Sequence, residues 1–184
     1  MSVDQAISHY QQLYALGTLS SAHFGIEIEP FSRSGKVGNS SIPIFEESTK
    51  VEWLANNVDI SVFDAQTDST QVGAFQLNFI TGNNSGEISA TFIETRDARI
   101  LNSARAIKAC TFNKDGTQNP PIDYLLRIKI YAFDRGDRNV LPFSVEHIVF
   151  LQTGSIPLDA SNKNGVGMVQ LNFTKAFPML LSGT

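Results

Sequence analysis

Side chains that do chemistry together have to meet, and in this sequence the reactive types lie apart. His9, His23 and His147 fall in a predicted helix and in two different strands, and none has a second His, Cys or carboxylate at the spacing that gathers ligands around a metal ion. Cys110 is the single cysteine, so it closes no internal disulfide. Flanked by Ala109 and Thr111 at a predicted helix end, it reads as a small buried apolar residue rather than a nucleophile. Glu46 and Glu47 have the chemistry of an acid and a base, but adjacent residues on an extended chain point to opposite sides. Arg135-Gly136-Asp137 sits inside Asp134 to Asn139, the composition of a polar hairpin turn. GxxxxGK, GxGxxG after a strand, HExxH and GxSxG are all absent. The sequence therefore predicts no catalytic set, no metal site and no cofactor.

What chemistry remains is electrostatic. Up to Glu94 eleven acids face three bases, a net of −8, and from Thr95 onward seven acids face eleven bases, a net of +4. Opposed halves suit a protein that stacks on copies of itself, although solvated surface explains them equally well. The total of −4 argues against a nucleic-acid binder, which draws its free energy from clustered Lys and Arg. At 184 residues, 42% hydrophobic and 17% charged, the chain has the composition of one ordinary globular domain. No apolar run approaches the roughly 18–20 residues that cross a bilayer. Met1 to Ala15 carries Asp4 and no Lys or Arg, so no secretory signal is expected and the chain is expected to fold in the cytosol that makes it.

The elements that position these residues follow from periodicity. Ser2 to Leu16 reads as an amphipathic helix, with Ser2 and Gln5 at capping-box spacing, Ile7, Tyr10 and Tyr14 on one face, and Gly17 as its stop. This gives an N-terminal arm over residues 1–21 and a single β domain over 22–184. Alternation begins at Ala22, with Phe24, Ile26 and Ile28 on one face up to Pro30; Phe31 to Ser41 reads as a Gly- and Ser-rich loop. Strand patterns follow over Lys50 to Phe63, Gly73 to Ile80 and Glu87 to Glu94, and Gly82-Asn83-Asn84-Ser85-Gly86 reads as a hairpin turn joining the last two. Thr95 to Ala109 has helical spacing, with Ile100, Ala104 and Ile107 inward and Arg96, Arg99, Arg105 and Lys108 outward. Asp123 to Phe133, Phe143 to Leu151 and Val166 to Phe177 complete the strands. The fold class is mainly antiparallel β, a sandwich or barrel with one packed helix and an N-terminal helical arm.

Several segments stand in a particular order: Phe24-Gly25-Ile26-Glu27-Ile28, then Val51 to Val58, then Ile88-Ser89-Ala90-Thr91-Phe92-Ile93-Glu94 running into a helix. The paired strands Tyr124 to Phe133 and Phe143 to Leu151 come next, then Ser155 to Asp159 and a closing strand Val169 to Phe177. In this order the chain resembles the tail tube family of contractile bacteriophages, whose fold is shared with the inner tubes of pyocins and type VI secretion systems. The resemblance implies a structural subunit and no enzyme. It implies rings, six-membered in the usual case, with sheets joined edge to edge around a lumen that passes DNA without binding it specifically. It also implies self-association, tail sheath and baseplate proteins as partners, no membrane contact, and a place in the virion after assembly in the host cytoplasm.

The residues expected at contacts between subunits are Ser2, Asp4, Ile7, Tyr10 and Tyr14 in the arm and Arg33 and Lys36 in the Phe31 to Ser41 loop. Arg96, Arg99, Arg105 and Lys108 are expected to meet the sheath or an acidic neighbour. Three other readings stay open: a tube-like ring of the baseplate, a monomeric β-sandwich binding module using Tyr10, Tyr14 or Trp53, and a small enzyme with an unfamiliar site.

Overall fold

Alternating apolar residues build the sheet as the sequence predicts. The computed structural model describes residues 22–61, 65–133, 141–158 and 165–177. Its strands are β1 (Phe24–Pro30), β2 (Ala55–Ile60), β3 (Ala65–Val72), β4 (Phe75–Asn83), β5 (Glu87–Ile93), β6 (Leu126–Ala132), β7 (Phe143–Ser155) and β8 (Met168–Lys175). Six of them form one antiparallel sheet in the order β1-β6-β7-β8-β5-β2, and β3 and β4 form a separate two-stranded ladder. Among the described residues three α-helices are α1 (Lys36–Asn39), α2 (Val51–Leu54) and α3 (Arg99–Thr111), beside three short 3-10 turns at Pro43–Phe45, Glu47–Thr49 and Pro121–Asp123. The expected arm, and with it Ser2, Asp4, Ile7, Tyr10 and Tyr14, lies outside the described residues, as does Arg135-Gly136-Asp137.

One face of the sheet carries the core. Ile26 and Ile28 stand opposite Ile130 and Ile128; Val145 and Val149 pair with Ile130 and Leu126; Ile88, Ala90 and Phe92 pair with Phe173, Leu171 and Val169. All are buried, and α3 covers them with Ile100, Ile107 and Cys110, with Val37 of α1 and Ile44 beside it. Cys110 is thus the small buried apolar residue its neighbours suggest. Each such large aliphatic or aromatic side chain contributes about 1.5–3 kcal/mol on burial.

The start of α3 is set by Glu94, the last residue before the turn. Ala98 occupies the N-cap position at φ 53° and offers no side-chain acceptor. The Glu94 carboxylate reaches back instead, with Oε1 accepting from the Ile100 amide at 3.1 Å and Oε2 from the Leu101 amide at 2.9 Å. Thr95 Oγ1 takes the Arg99 amide at 3.0 Å. Amides that an α-helix leaves without internal partners are therefore satisfied, and a negative charge sits at the positive end of the dipole.

Four expectations need correction. The helix expected over Thr95 to Ala109 runs from Arg99 to Thr111, because Thr95 to Ala98 form the turn that Glu94 closes. The strand expected from Lys50 begins at Ala55; Lys50 lies in the left-handed region at φ 47°, and Val51 turns inward through α2. The Phe31 to Ser41 loop contains α1, held against the 119–123 segment where a Cβ on Gly35 would overlap the Ile122 carbonyl oxygen. Residues 82–86 are no hairpin turn: β4 pairs with β3, and β5 pairs with β2 and β8. The turn that reverses the chain is the two-residue loop at Gly73 and Ala74, where Gly73 at φ 65° supplies the positive φ such a loop takes at its first position.

Candidate assembly surfaces

The β3–β4 ladder is a separate two-stranded sheet that lies between β2 and β5 in the chain. It runs from Ala65 opposite Asn83 to Val72 opposite Phe75. A bulge between Gln66 and Thr67 leaves one extra residue on β4. Beyond the bulge, Val72, Phe75, Leu77 and Phe79 share one face of the ladder, with Val72 opposite Phe75. The other face is polar, with Gln71 opposite Gln76 and Ser69 opposite Asn78; Ile80, opposite Thr67, is the exception.

That apolar stripe is exposed. Phe75 is 76% exposed, Leu77 56%, Val72 56% and Phe79 46%. In the body of the domain α3 and the segments around it cover the apolar face of the six-stranded sheet; none of the described residues buries this one. An amphipathic hairpin that, among the described residues, pairs with no further strand is what natural sheets avoid unless another chain completes it.

The opposite face of β2, β5 and β8, together with the far end of β7, is polar and carries no lysine or arginine. Its polar residues are Asn57, Asp59, Glu87, Ser89, Thr91, Gln170, Asn172, Thr174, Gln152 and Thr153; the Ile93–Met168 pair and Phe150 are its apolar members. Hydrogen bonds knit it across the strands: Ser89 to Asn172 at 2.9 Å, Gln170 to Ser89 at 2.9 Å, Asn172 to Thr153 at 3.0 Å and Thr174 to Gln152 at 2.9 Å. Asp59 and Glu87 give it a negative balance. The β1–β6–β7 part of the same side is instead a mixed charged ladder, with Arg127 on Glu146 at 3.1 Å and Lys129 near Glu27 at 3.6 Å.

The basic residues singled out from the sequence divide into two kinds. Arg33, Arg96, Arg105 and Lys108 are exposed. Arg99 spends its guanidinium within the chain, donating to Ser48 Oγ at 2.9 Å and Thr49 Oγ1 at 3.2 Å. Lys36 is a tie as well: its Nζ donates to Asn119 Oδ1 at 2.6 Å and its amide to Asp123 Oδ1 at 3.1 Å. Arg105 and Lys108 rim a groove between α3 and β7. A second depression, at the β1 edge, is lined by Phe24, Glu52, Trp53, Tyr131 and Phe133. There Trp53 is 74% exposed, and Tyr131 donates to Glu52 Oε2 at 3.3 Å. Partial burial, then the charges of Glu27 and Glu52, push the Tyr131 hydroxyl up to about 12.

Among the described residues no group of three or more His, Cys, Asp or Glu side chains could hold a metal ion. His147 is buried on the core side of β7 opposite Ile128, and neither ring nitrogen has a hydrogen-bond partner. No described helix is long and apolar enough to cross a membrane.

An antiparallel sheet with one helix packed on its core side, a polar far side and a projecting hairpin defines a contractile-tail-tube-like fold. Among solved structures the chain is similar to one from an extracellular contractile injection system, the PVC sheath–tube complex in its extended state. The TM-score is 0.62 at 10% identity, over 94% of this chain and 97% of the other. It is also similar to a chain of the PVC sheath/tube terminator in its extended state, with a TM-score of 0.59 at 8% identity over 90% and 97%. A third is the anti-feeding prophage cap, a tube-terminating cap, with a TM-score of 0.58 at 9% identity over 90% and 92%. At these identities the likeness is one of fold. No protein-family model matches the sequence, and comparison with curated proteins finds no significant match.

The sequence reading missed the β3–β4 hairpin. Gln66 to Gln71 is polar on both faces, so β3 has no alternation to betray it, and the Gly-Asn-Asn-Ser-Gly run drew the turn to the wrong place. The available signal was Phe75, Leu77 and Phe79 alternating in a strand with an almost uncharged partner.

Proposed function

We propose that this chain is a structural, non-catalytic subunit of a contractile tail tube, assembling with copies of itself into stacked rings, six to a ring, around a conduit for DNA. The observation that carries the reading is the apolar stripe Val72, Phe75, Leu77 and Phe79, which shares one face of the β3–β4 ladder and is exposed. Burial of each of these side chains by a neighbour would contribute on the order of 1.5–3 kcal/mol, before the costs of association. The cation-free face of β2, β5 and β8 supports the conduit, since a wall without Lys or Arg gives phosphates nothing to neutralise. In this reading that face lines the lumen, the arm over residues 2–16 and the Arg33 region contact the next ring, and exposed Arg96, Arg105 and Lys108 meet the sheath or a neighbour. The tube belongs to a virion tail built in the host cytoplasm, with sheath and baseplate proteins around it.

The terminator and cap structures match this fold nearly as well as the sheath–tube complex does, with TM-scores of 0.59 and 0.58 against 0.62. That favours one second reading, a ring at an end of the tube, including the ring of the baseplate from which a tube starts. Negative-stain electron microscopy beside sedimentation of the purified chain separates the two. Long hollow tubes support the repeated subunit, and single rings support the end ring. Phe75→Ser with Leu77→Ser should leave a folded monomer that forms neither, and tubes of normal length from that variant would refute the assembly reading.

A further inference from the structure

Resting on that assembly reading, we propose that the groove between α3 and the free end of β7 seats strand β4 of a second copy, added there as an extra strand. Three observations converge on it. The first is an unfilled place in the sheet. β6 begins at Leu126, which pairs with Val149, so Phe150 to Ser155 has β8 on one side and, among the described residues, no strand on the other. An overhang of this length presents backbone donors and acceptors that an added strand satisfies.

The second is what flanks the overhang. Leu151 to Gly154 line a groove of about 470 Å³ together with Leu101, Ala104, Ile107 and Phe112 from the α3 side. Phe112 is 48% exposed there. An incoming strand with apolar residues at alternate positions would bond to the edge with its backbone and fill the groove with every second side chain. Phe75 to Ile80 has the length of the overhang, and Phe75, Leu77 and Phe79 are the alternating set.

The third is charge. Asp68, opposite Phe79, is the single charged residue on the apolar face of the hairpin, and Arg105 and Lys108 rim the groove. The depression around Trp53 offers Glu52 instead and would repel it. Hairpin and groove are different surfaces of the chain, so the contact is heterologous: each copy gives a hairpin to one neighbour and takes one from another, which closes into a ring or propagates as a tube.

The test uses the full chain with the photo-crosslinker p-benzoylphenylalanine in place of Thr153, mixed with isotope-labelled wild-type chain, irradiated after assembly, and mapped by mass spectrometry. The expected product joins position 153 to a peptide within 65–83 of the labelled copy. In parallel, Asp68→Lys should raise the concentration needed for assembly about tenfold or more, and Arg105→Glu with Lys108→Glu on the same chain should recover most of that loss. Assemblies that form normally but cross-link position 153 to residues 2–16, or to any segment outside 65–83, overturn this proposal and leave the assembly reading standing. Wild-type chain that never assembles, at any concentration or with a template, overturns both.

Discussion

Acid should destabilise this fold through one residue, His147. Its ring is 1% exposed on the core side of β7, without hydrogen-bond partners, and Lys175 on β8 stands diagonally beside it, opposite Val149. Burial first, and the Lys175 charge second, push the imidazole from 6.5 down to about 4. The unfolded chain therefore takes up a proton at pH 6.5 while the folded one does not until about pH 4. Because the folded value is lowered, His147 leaves stability intact above pH 6.5. Stability is lost at up to about 1.4 kcal/mol per pH unit below that, levelling near pH 4 after a loss of about 3 kcal/mol. His147→Val keeps a strand-forming apolar side chain and removes the titration. Urea unfolding of both proteins at one concentration, from pH 7.5 to 4.5, cancels the carboxylates and the mass action they share. The stability difference should move by about 2.5 kcal/mol in favour of the variant. Parallel curves would refute the reasoning, for they would mean that the buried ring finds a partner for its proton.

Other outcomes follow from single contacts. Glu94→Ala strips the first turn of α3 of its carboxylate and should cost about 1–2 kcal/mol in urea unfolding, with a matching drop in helical ellipticity on partial denaturation. Gly35→Ala drives a Cβ into the Ile122 carbonyl and should cost at least about 2 kcal/mol, while Gly116→Ala, at φ 86° but with open space around it, should cost less. Glu146→Gln removes an exposed ion pair with Arg127 and should change stability by less than about 1 kcal/mol, measured as a shift in urea midpoint. In ultraviolet titration of the folded protein a phenolate step near pH 12 should vanish in Tyr131→Phe, whose hydroxyl no longer competes with Glu27 and Glu52.

Local pattern was enough for β1, β5, β6, β7, β8 and the body of α3, since each buries one face and must alternate at the period of its own backbone. Glu94 stood out only as the end of a strand. That its carboxylate caps the following helix depends on a turn at Ala98 that propensity does not indicate. Arg99 and Lys36 are expected from the sequence at contacts between subunits, but a sequence cannot say which polar groups of the same chain fold in beside them; Ser48 and Thr49 in one case, and Asn119 and Asp123 in the other, do so in space. The hairpin failed for a related reason. Alternation records burial within one chain, and β3 buries almost nothing there.

What the sequence determined by itself is the antiparallel β architecture with one packed helix, and the opposed charge of its two halves, −8 up to Glu94 and +4 beyond it. Tertiary structure alone decided which polar residues share a face, and that the apolar side of the β3–β4 hairpin is left uncovered. The physical reason is that period and composition are local properties, whereas register across strands and the covering of a face are set by chain segments far apart in sequence.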